Sequence, residues 1–308
     1  MRKWPLSLIV LVSKRFYYWV KIRFNSFVYR LPFDRKEIPY PPSLLWKKSN
    51  QNNSLKNKKN KVFDCSYFYN EFEILEMRLH FLANYVDKFI VIESRYDLTG
   101  TLKKVLLQDK IHSAPFKEYN IAVFVLDWLP FNFESLDERI LSLSEGCEKT
   151  ALMRTRYNEI LPKDGSGPVY WINEFYFKER LLCALEKEDI SDQDTVFISD
   201  VDEFWNPFAR YPTNSKLPTL FKLDGYIYYM DNLTDDSYKN WTGSCCVRYS
   251  KLKASGVNSC RAHNNLPRWL VYKGGWHFSA MGGKEKLKEK IAMWDPNDFG
   301  EGVLSDLE

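Results

Sequence analysis

The strongest constraint on this chain is a set of short apolar runs, each stopping on a polar residue. They lie at 61–65, 88–93, 120–127 and 195–199, and the last is followed at once by Asp200. Runs this short, rich in Val, Ile and Phe, suit buried strands rather than helices. Between the first two, Phe72, Leu75, Leu79, Leu82 and Val86 recur on one helical face. Asn70, with Glu73 three residues on, supplies a capping-box pattern at the start of that helix. Polar and glycine residues at 163–168 break the chain, and a second helix is expected from about 170 to 187, with Trp171, Phe175, Leu182 and Leu185 on one face. Further strands are expected at 225–230, 244–250 and 271–279, and a basic helix at 284–291. Strand, helix, strand predicts an α/β domain with a mostly parallel sheet, whose ligands gather beyond the carboxyl ends of the strands.

Charge divides the chain. Residues 1–61 hold 15 Lys and Arg against 2 Asp and Glu, a net of +13, while the remainder carries 29 basic against 38 acidic groups, a net of −9. Within 1–30, basic side chains interleave with Trp4, Phe16, Tyr17, Tyr18, Trp19, Phe24, Phe27 and Tyr29. Such a mixture suits the headgroup zone of an anionic membrane, either lying on it or as a short anchor; a packed helix is the alternative. No apolar run reaches the length needed to span a bilayer, which excludes a polytopic membrane protein. The acidic body and the lack of a nucleic-acid motif weigh against DNA or RNA as partners. Residues 47–61 are polar and read as a linker between a leader at 1–46 and a folded body at 62–308. The expected location is therefore membrane-associated, on a cytoplasmic face or in a Golgi-like compartment.

Six cysteines form no CxxC or zinc spacing. Cys65 and Cys183 fall in apolar patterns and are expected as small core residues; Cys245 and Cys246 are open to pairing in an oxidising compartment, with reduced thiols the plainer expectation.

The residues just past each strand are the candidates for chemistry. Asp200 and Asp202 follow the fourth strand and either hold a divalent cation against a diphosphate or form a surface turn. The triplet at Asp192 and Asp194 precedes the strand and reads as a solvated loop or a helix-cap signal. After the first strand, Asn70 and Glu71 either meet a base or ribose or simply serve the helix terminus. Glu93 ends the second strand at the same mouth and either contacts a ribose hydroxyl or pairs with a nearby Arg. His277 stands after Gly274 and Gly275, which allow close backbone approach; it is either a metal ligand or a structural imidazole.

These pieces resemble glycosyltransferase family 17. The resemblance rests on 64–79 continuing to 86–94 with Thr99 and Gly100, on 174–180 leading to 194–203, and on 274–279 with Gly282 and Gly283. It implies a GT-A-like, Rossmann-type nucleotide-sugar domain and an inverting transfer of N-acetylglucosamine from UDP-GlcNAc to a glycan. Asp200 and Asp202 would hold Mn²⁺ or Mg²⁺ and the donor diphosphate, with His277 a late metal ligand or phosphate contact; Asn70, Glu71 and Glu93 would lie around the nucleotide, and Arg180 would meet phosphate or hold a carboxylate. Residues 211–270 and the tail after Lys290 depart from the family pattern, so a glycoprotein, lipopolysaccharide or capsule acceptor all stay open. For the base that deprotonates the acceptor hydroxyl, Asp231 is the first candidate and Glu174 the second. The competing readings are a non-catalytic glycan-binding or membrane-docking module and, further off, a phosphotransferase using an Asp nucleophile.

Overall fold

The computed structural model describes residues 60–158, 161, 169–212, 215–234, 241–261, 268–282 and 286–288. The leader, nearly all of the linker and most of the expected helix at 284–291 lie outside these residues. No described helix is long and apolar enough to cross a membrane.

The first strand, β1 (Val62–Phe68), is buried along its whole length. Successive side chains of a strand face opposite sides, and here they feed two cores. Phe63, Cys65 and Tyr67 enter one; Val62 and Phe68 enter the other. The helix α1 (Phe72–Leu82) covers the second core with Leu75, Leu79 and Leu82. Each fully buried leucine contributes about 2 kcal/mol of hydrophobic stabilisation. β2 (Lys88–Ser94) and β3 (Ile121–Leu126) follow. The first core is roofed by α2 (Phe133–Ser142), α3 (Cys147–Arg156), α4 (Val169–Glu179) and α5 (Leu181–Leu185). The arrangement is a mixed sheet between helical layers.

The second half of the sheet is built from β4 (Thr195–Asp200), β5 (Glu203–Trp205), β6 (Thr219–Ile227), β7 (Trp241–Arg248) and β8 (Trp269–Ser279), with α6 (Tyr249–Ser255) and α7 (Val257–Arg261) after β7. Among the described residues the strand order is β3-β2-β1-β4-β7-β6-β8-β5. β1, β2, β3 and β4 pair in parallel. β7 is antiparallel to both β4 and β6, and β8 is parallel to β6. The carboxyl ends of β1, β2, β3, β4, β6 and β8 therefore share one edge, which the start of β7 joins.

β5 begins three residues after β4 ends yet pairs with β8, beyond β7 and β6 in the sheet. The chain doubles back to do so, and glycines admit the crossing. A Cβ on Gly275 would lie 1.9 Å from the Phe204 carbonyl oxygen, and one on Gly243 would lie 1.7 Å from a Glu203 carboxylate oxygen. The close approach expected of Gly274 and Gly275 is thus an approach to neighbouring protein chain.

Several expectations need correction. The single helix expected from 170 to 187 is two helices, α4 and α5, meeting at Arg180. The strand expected at 225–230 starts at Thr219 and ends at Ile227, because the polar Lys222 and Asp224 interrupt its apolar pattern without ending its pairing. The strand expected at 244–250 ends at Arg248, and Tyr249 opens a helix instead. Asn70 does not cap α1: the cap position is Glu71, and no side-chain cap bond is made there. Cys183 is not a free core thiol but is joined by a disulfide to Cys147, tying α5 to the start of α3. Cys65, Cys245, Cys246 and Cys260 are buried and stand outside any disulfide.

Candidate functional site at the carboxyl edge

Arg78 of α1 is fully buried and anchors the turn after β4. Its Nε and Nη2 donate to the two carboxylate oxygens of Asp64 at 2.7 and 2.8 Å. Its Nη1 donates to the Glu203 carbonyl at 2.5 Å, and Nη2 reaches Ser199 Oγ at 2.5 Å. Asp64 accepts a further bond from Trp205 Nε1 at 2.8 Å. A charge pair in a dry interior is tolerated when geometry is good and the remaining groups are bonded, as here. The effect is to fix the backbone of 199–205 from beneath.

Above that floor stands Arg261, the last residue of α7. Its Nη1 meets Asp200 Oδ1 and its Nη2 meets Glu203 Oε2, each at 3.0 Å, while Nε donates to the Gly243 carbonyl at 3.0 Å. Glu203 also accepts from the Asp200 backbone N–H at 3.0 Å and from Trp241 Nε1 at 2.6 Å. Burial opposes the charge on Asp200, but the Arg261 guanidinium and the Lys178 ammonium outweigh it and hold its carboxyl far below the usual carboxylate range. Burial, then the neighbouring Asp200 carboxylate, push Glu203 up. Burial also opposes the charge on Lys178, yet Glu174 and Asp200 together raise it. α7 is delivered by α4: Glu179 accepts the backbone N–H groups of Val257 and Asn258, and the Asn258 amide donates to the Phe175 carbonyl.

A second group sits beside the first. His277 Nε2 lies 3.6 Å from Asp202 Oδ2. The Trp241 indole stacks on the His277 ring, with centroids 5.1 Å apart and planes 25° apart. Glu71 accepts the backbone N–H groups of Tyr69 and Asn70, and its carboxyl is raised by burial and then by the negative charge of Asp202.

Asp200, Asp202 and His277 are thus brought to one edge, with Glu71 within electrostatic reach of Asp202. Glu174 is close too, but its carboxylate is engaged by Lys178 one helical turn on. Asp231 is exposed in the turn after β6, at the same edge of the sheet. Glu93 is fully buried: its carboxylate accepts the Leu106 and Leu107 N–H groups at 2.7 and 3.0 Å and meets Lys103 at 3.4 Å, which fastens the loop after β2. Arg180 is turned into the helical layer, bonded to the Tyr176 hydroxyl and the Glu148 carboxylate and lying over the Phe124 ring. Sequence reasoning missed Arg78, Lys178, Glu203, Trp241 and Arg261. Glu203 was adjacent to the motif and readable as a third carboxylate; Arg261 and Trp241 come from a region with no pattern that announces them.

For a cation, the donor chemistry fits. An imidazole nitrogen and a carboxylate oxygen stand together, and hard divalent ions often take only one or two protein ligands, with phosphate and water completing the shell. Among the described residues no group of three or more His, Cys, Asp or Glu converges as a ready-made cage. Asp202 and His277, 3.6 Å apart, are the adjoining carboxylate and imidazole, while Asp200 faces Arg261.

The sheet is mixed rather than mostly parallel as expected, with β4–β7, β6–β7 and β5–β8 antiparallel, and the acidic, cationic and aromatic groups gathered at the carboxyl ends of its parallel strands make that edge the candidate ligand site of an α/β domain. Residues 46–135 match glycosyltransferase family 17, a match at the level of the family whose general activity is sugar transfer. The matched segment spans β1, α1, β2 and β3 and ends just inside α2, so it includes Asn70, Glu71 and Glu93 but neither the Asp200 turn nor His277. No curated protein matches the chain.

Proposed function

We propose that the protein is an inverting, metal-dependent glycosyltransferase of GT-A type, moving N-acetylglucosamine from UDP-GlcNAc to a glycan. The observation that carries the reading is the meeting of Asp202 and His277 at the carboxyl end of β4, in a chain whose first strands match a glycosyltransferase family. Asp202 and His277 would hold Mn²⁺ or Mg²⁺, with Asp200 the adjoining carboxylate. Such an ion supplies positive charge against the leaving diphosphate.

The chain's own residues do the rest. Arg78 and Arg261 fix the turn that carries both aspartates, so the site is ordered before substrate arrives. Lys178 and Arg261 keep Asp200 ionised. Glu71 and Asn70, at the end of β1, face the ribose or base. Asp231 is the base for the acceptor hydroxyl: it is exposed, whereas Glu174 is held by Lys178. The leader at 1–46 would hold the enzyme at an anionic membrane, near lipid-linked or surface-destined glycans.

Turnover of a panel of UDP- and GDP-sugars, with Mn²⁺ and with EDTA, tests this reading. UDP-GlcNAc cleavage that needs the metal is expected, with loss in Asp202→Asn and retention in Asp192→Asn. Glycan binding with no donor turnover would instead support a lectin-like module.

A further inference from the structure

We propose that Trp241 is the platform on which the acceptor sugar stacks. The residue opens β7, a strand whose middle is buried, yet its side is 40% exposed. β7 runs against β4, so its first residue lies just past the carboxyl end of β4, beside the candidate site, and opposite Leu223 of β6. The indole is held at two points. Its Nε1–H donates to Glu203 at 2.6 Å, and one ring face stacks on His277. Bonded along one edge and stacked on one side, the residue is still 40% exposed, and we assign that exposure to the ring face away from His277.

That geometry suits a particular ligand. A fixed aromatic face binds the apolar face of a pyranose, where axial C–H groups meet the ring. Rotamer freedom has already been lost to Glu203 and His277, so little further ordering is needed on binding. The covered face is the one toward His277 and Asp202, where the donor diphosphate is placed above. The open face is separated from that pair by the stacked rings, so the sugar upon it is the acceptor rather than the donor. The assignment deepens the transferase reading and rests on it for the word acceptor; the stacking itself does not.

The test compares Trp241→Phe with Trp241→Leu. Both lose the N–H to Glu203, so any structural effect of that loss is shared, and only Phe keeps a ring. The probes are cellobiose and chitobiose, whose all-equatorial rings present axial C–H faces, read by ligand-observed saturation-transfer NMR. Saturation of axial ring protons is expected with the unaltered protein and with Trp241→Phe. Affinity should be roughly three- to tenfold weaker in Trp241→Leu. Equal affinity in the two variants overturns the proposal. If Trp241→Leu does not fold, 5-fluorotryptophan labelling of the unaltered protein replaces it, with the resonance assigned by Trp241→Phe. A ¹⁹F shift on adding cellobiose supports the platform, and an unmoved resonance overturns it. Release of UDP from UDP-GlcNAc without acceptor is measured alongside. Stacking without UDP release keeps the platform and sinks the transferase reading; UDP release without stacking does the reverse.

Discussion

Arg78 Nη1 donates to the carbonyl oxygen of Glu203 at 2.5 Å, while the same guanidinium clasps both oxygens of Asp64. One side chain of the first helix thereby joins the first strand to the turn on which the candidate chemistry stands.

Removing one member of that pair leaves a buried charge uncompensated. Asp64→Asn and Arg78→Met should each lower stability by about 3–5 kcal/mol, read as a lower urea midpoint at constant slope. Arg78→Lys restores the charge but not the fork that reaches Asp64, Ser199 and Glu203 together, so it should recover only part of the loss. A change within 1 kcal/mol for either single substitution would show that the clasp is dispensable.

Arg261 predicts a reversal of pH dependence. Asp200 has a folded pKa below its unfolded value, so its contribution is complete above about pH 4 and is lost as pH falls through the lower folded value. Glu203 is shifted the other way: its charge disfavours the folded state near neutrality, and that cost lifts as pH falls. In metal-free buffer the wild type should therefore lose stability only in strong acid. Arg261→Leu removes the cation common to both carboxylates. Its melting temperature should fall most at pH 7.5 and recover partly toward pH 5, and parallel pH profiles for variant and wild type would refute the pairing.

The Cys147–Cys183 disulfide closes a loop with a sequence separation of 36. A crosslink over that length stabilises by roughly 3–4 kcal/mol in the chain-entropy account. Non-reducing peptide mapping should recover 147 linked to 183 and the other four cysteines as thiols. Cys183→Ala should melt well below the oxidised wild type and match it under strong reductant. Recovery of 147 and 183 as free thiols from protein oxidised in air would remove the crosslink.

Much of the scaffold was legible because strand burial is written locally. The runs at 88–93, 120–127 and 195–199 show their apolar character within five to eight residues, and β2, β3 and β4 coincide with them nearly residue for residue. α2 and α3 were not legible, since their faces are charged and each buries only one to three residues. The site divided in the same way. Asp200 and Asp202 could be read from their place after a buried strand. His277 drew notice through its glycines. Arg261 and Trp241 owe their roles to β5 crossing back to β8 and to α4 docking α7, contacts between residues 38 to 79 positions apart that leave no periodic trace. Glu93 shows the converse: its place at a strand end left a ribose and a protein cation both open, and the loop at 103–107 takes its carboxylate through two backbone N–H groups and Lys103.

The central claim is that the carboxyl end of β4 binds a nucleoside diphosphate through a cation held by Asp202 and His277. Calorimetric titration of UDP into the protein with Mn²⁺ and with EDTA tests it directly. Binding should weaken by roughly tenfold or more when the metal is removed, and Asp202→Asn should bind UDP equally weakly in both buffers. UDP affinity that is the same with Mn²⁺ and with EDTA, or metal dependence that survives in Asp202→Asn, would contradict the account.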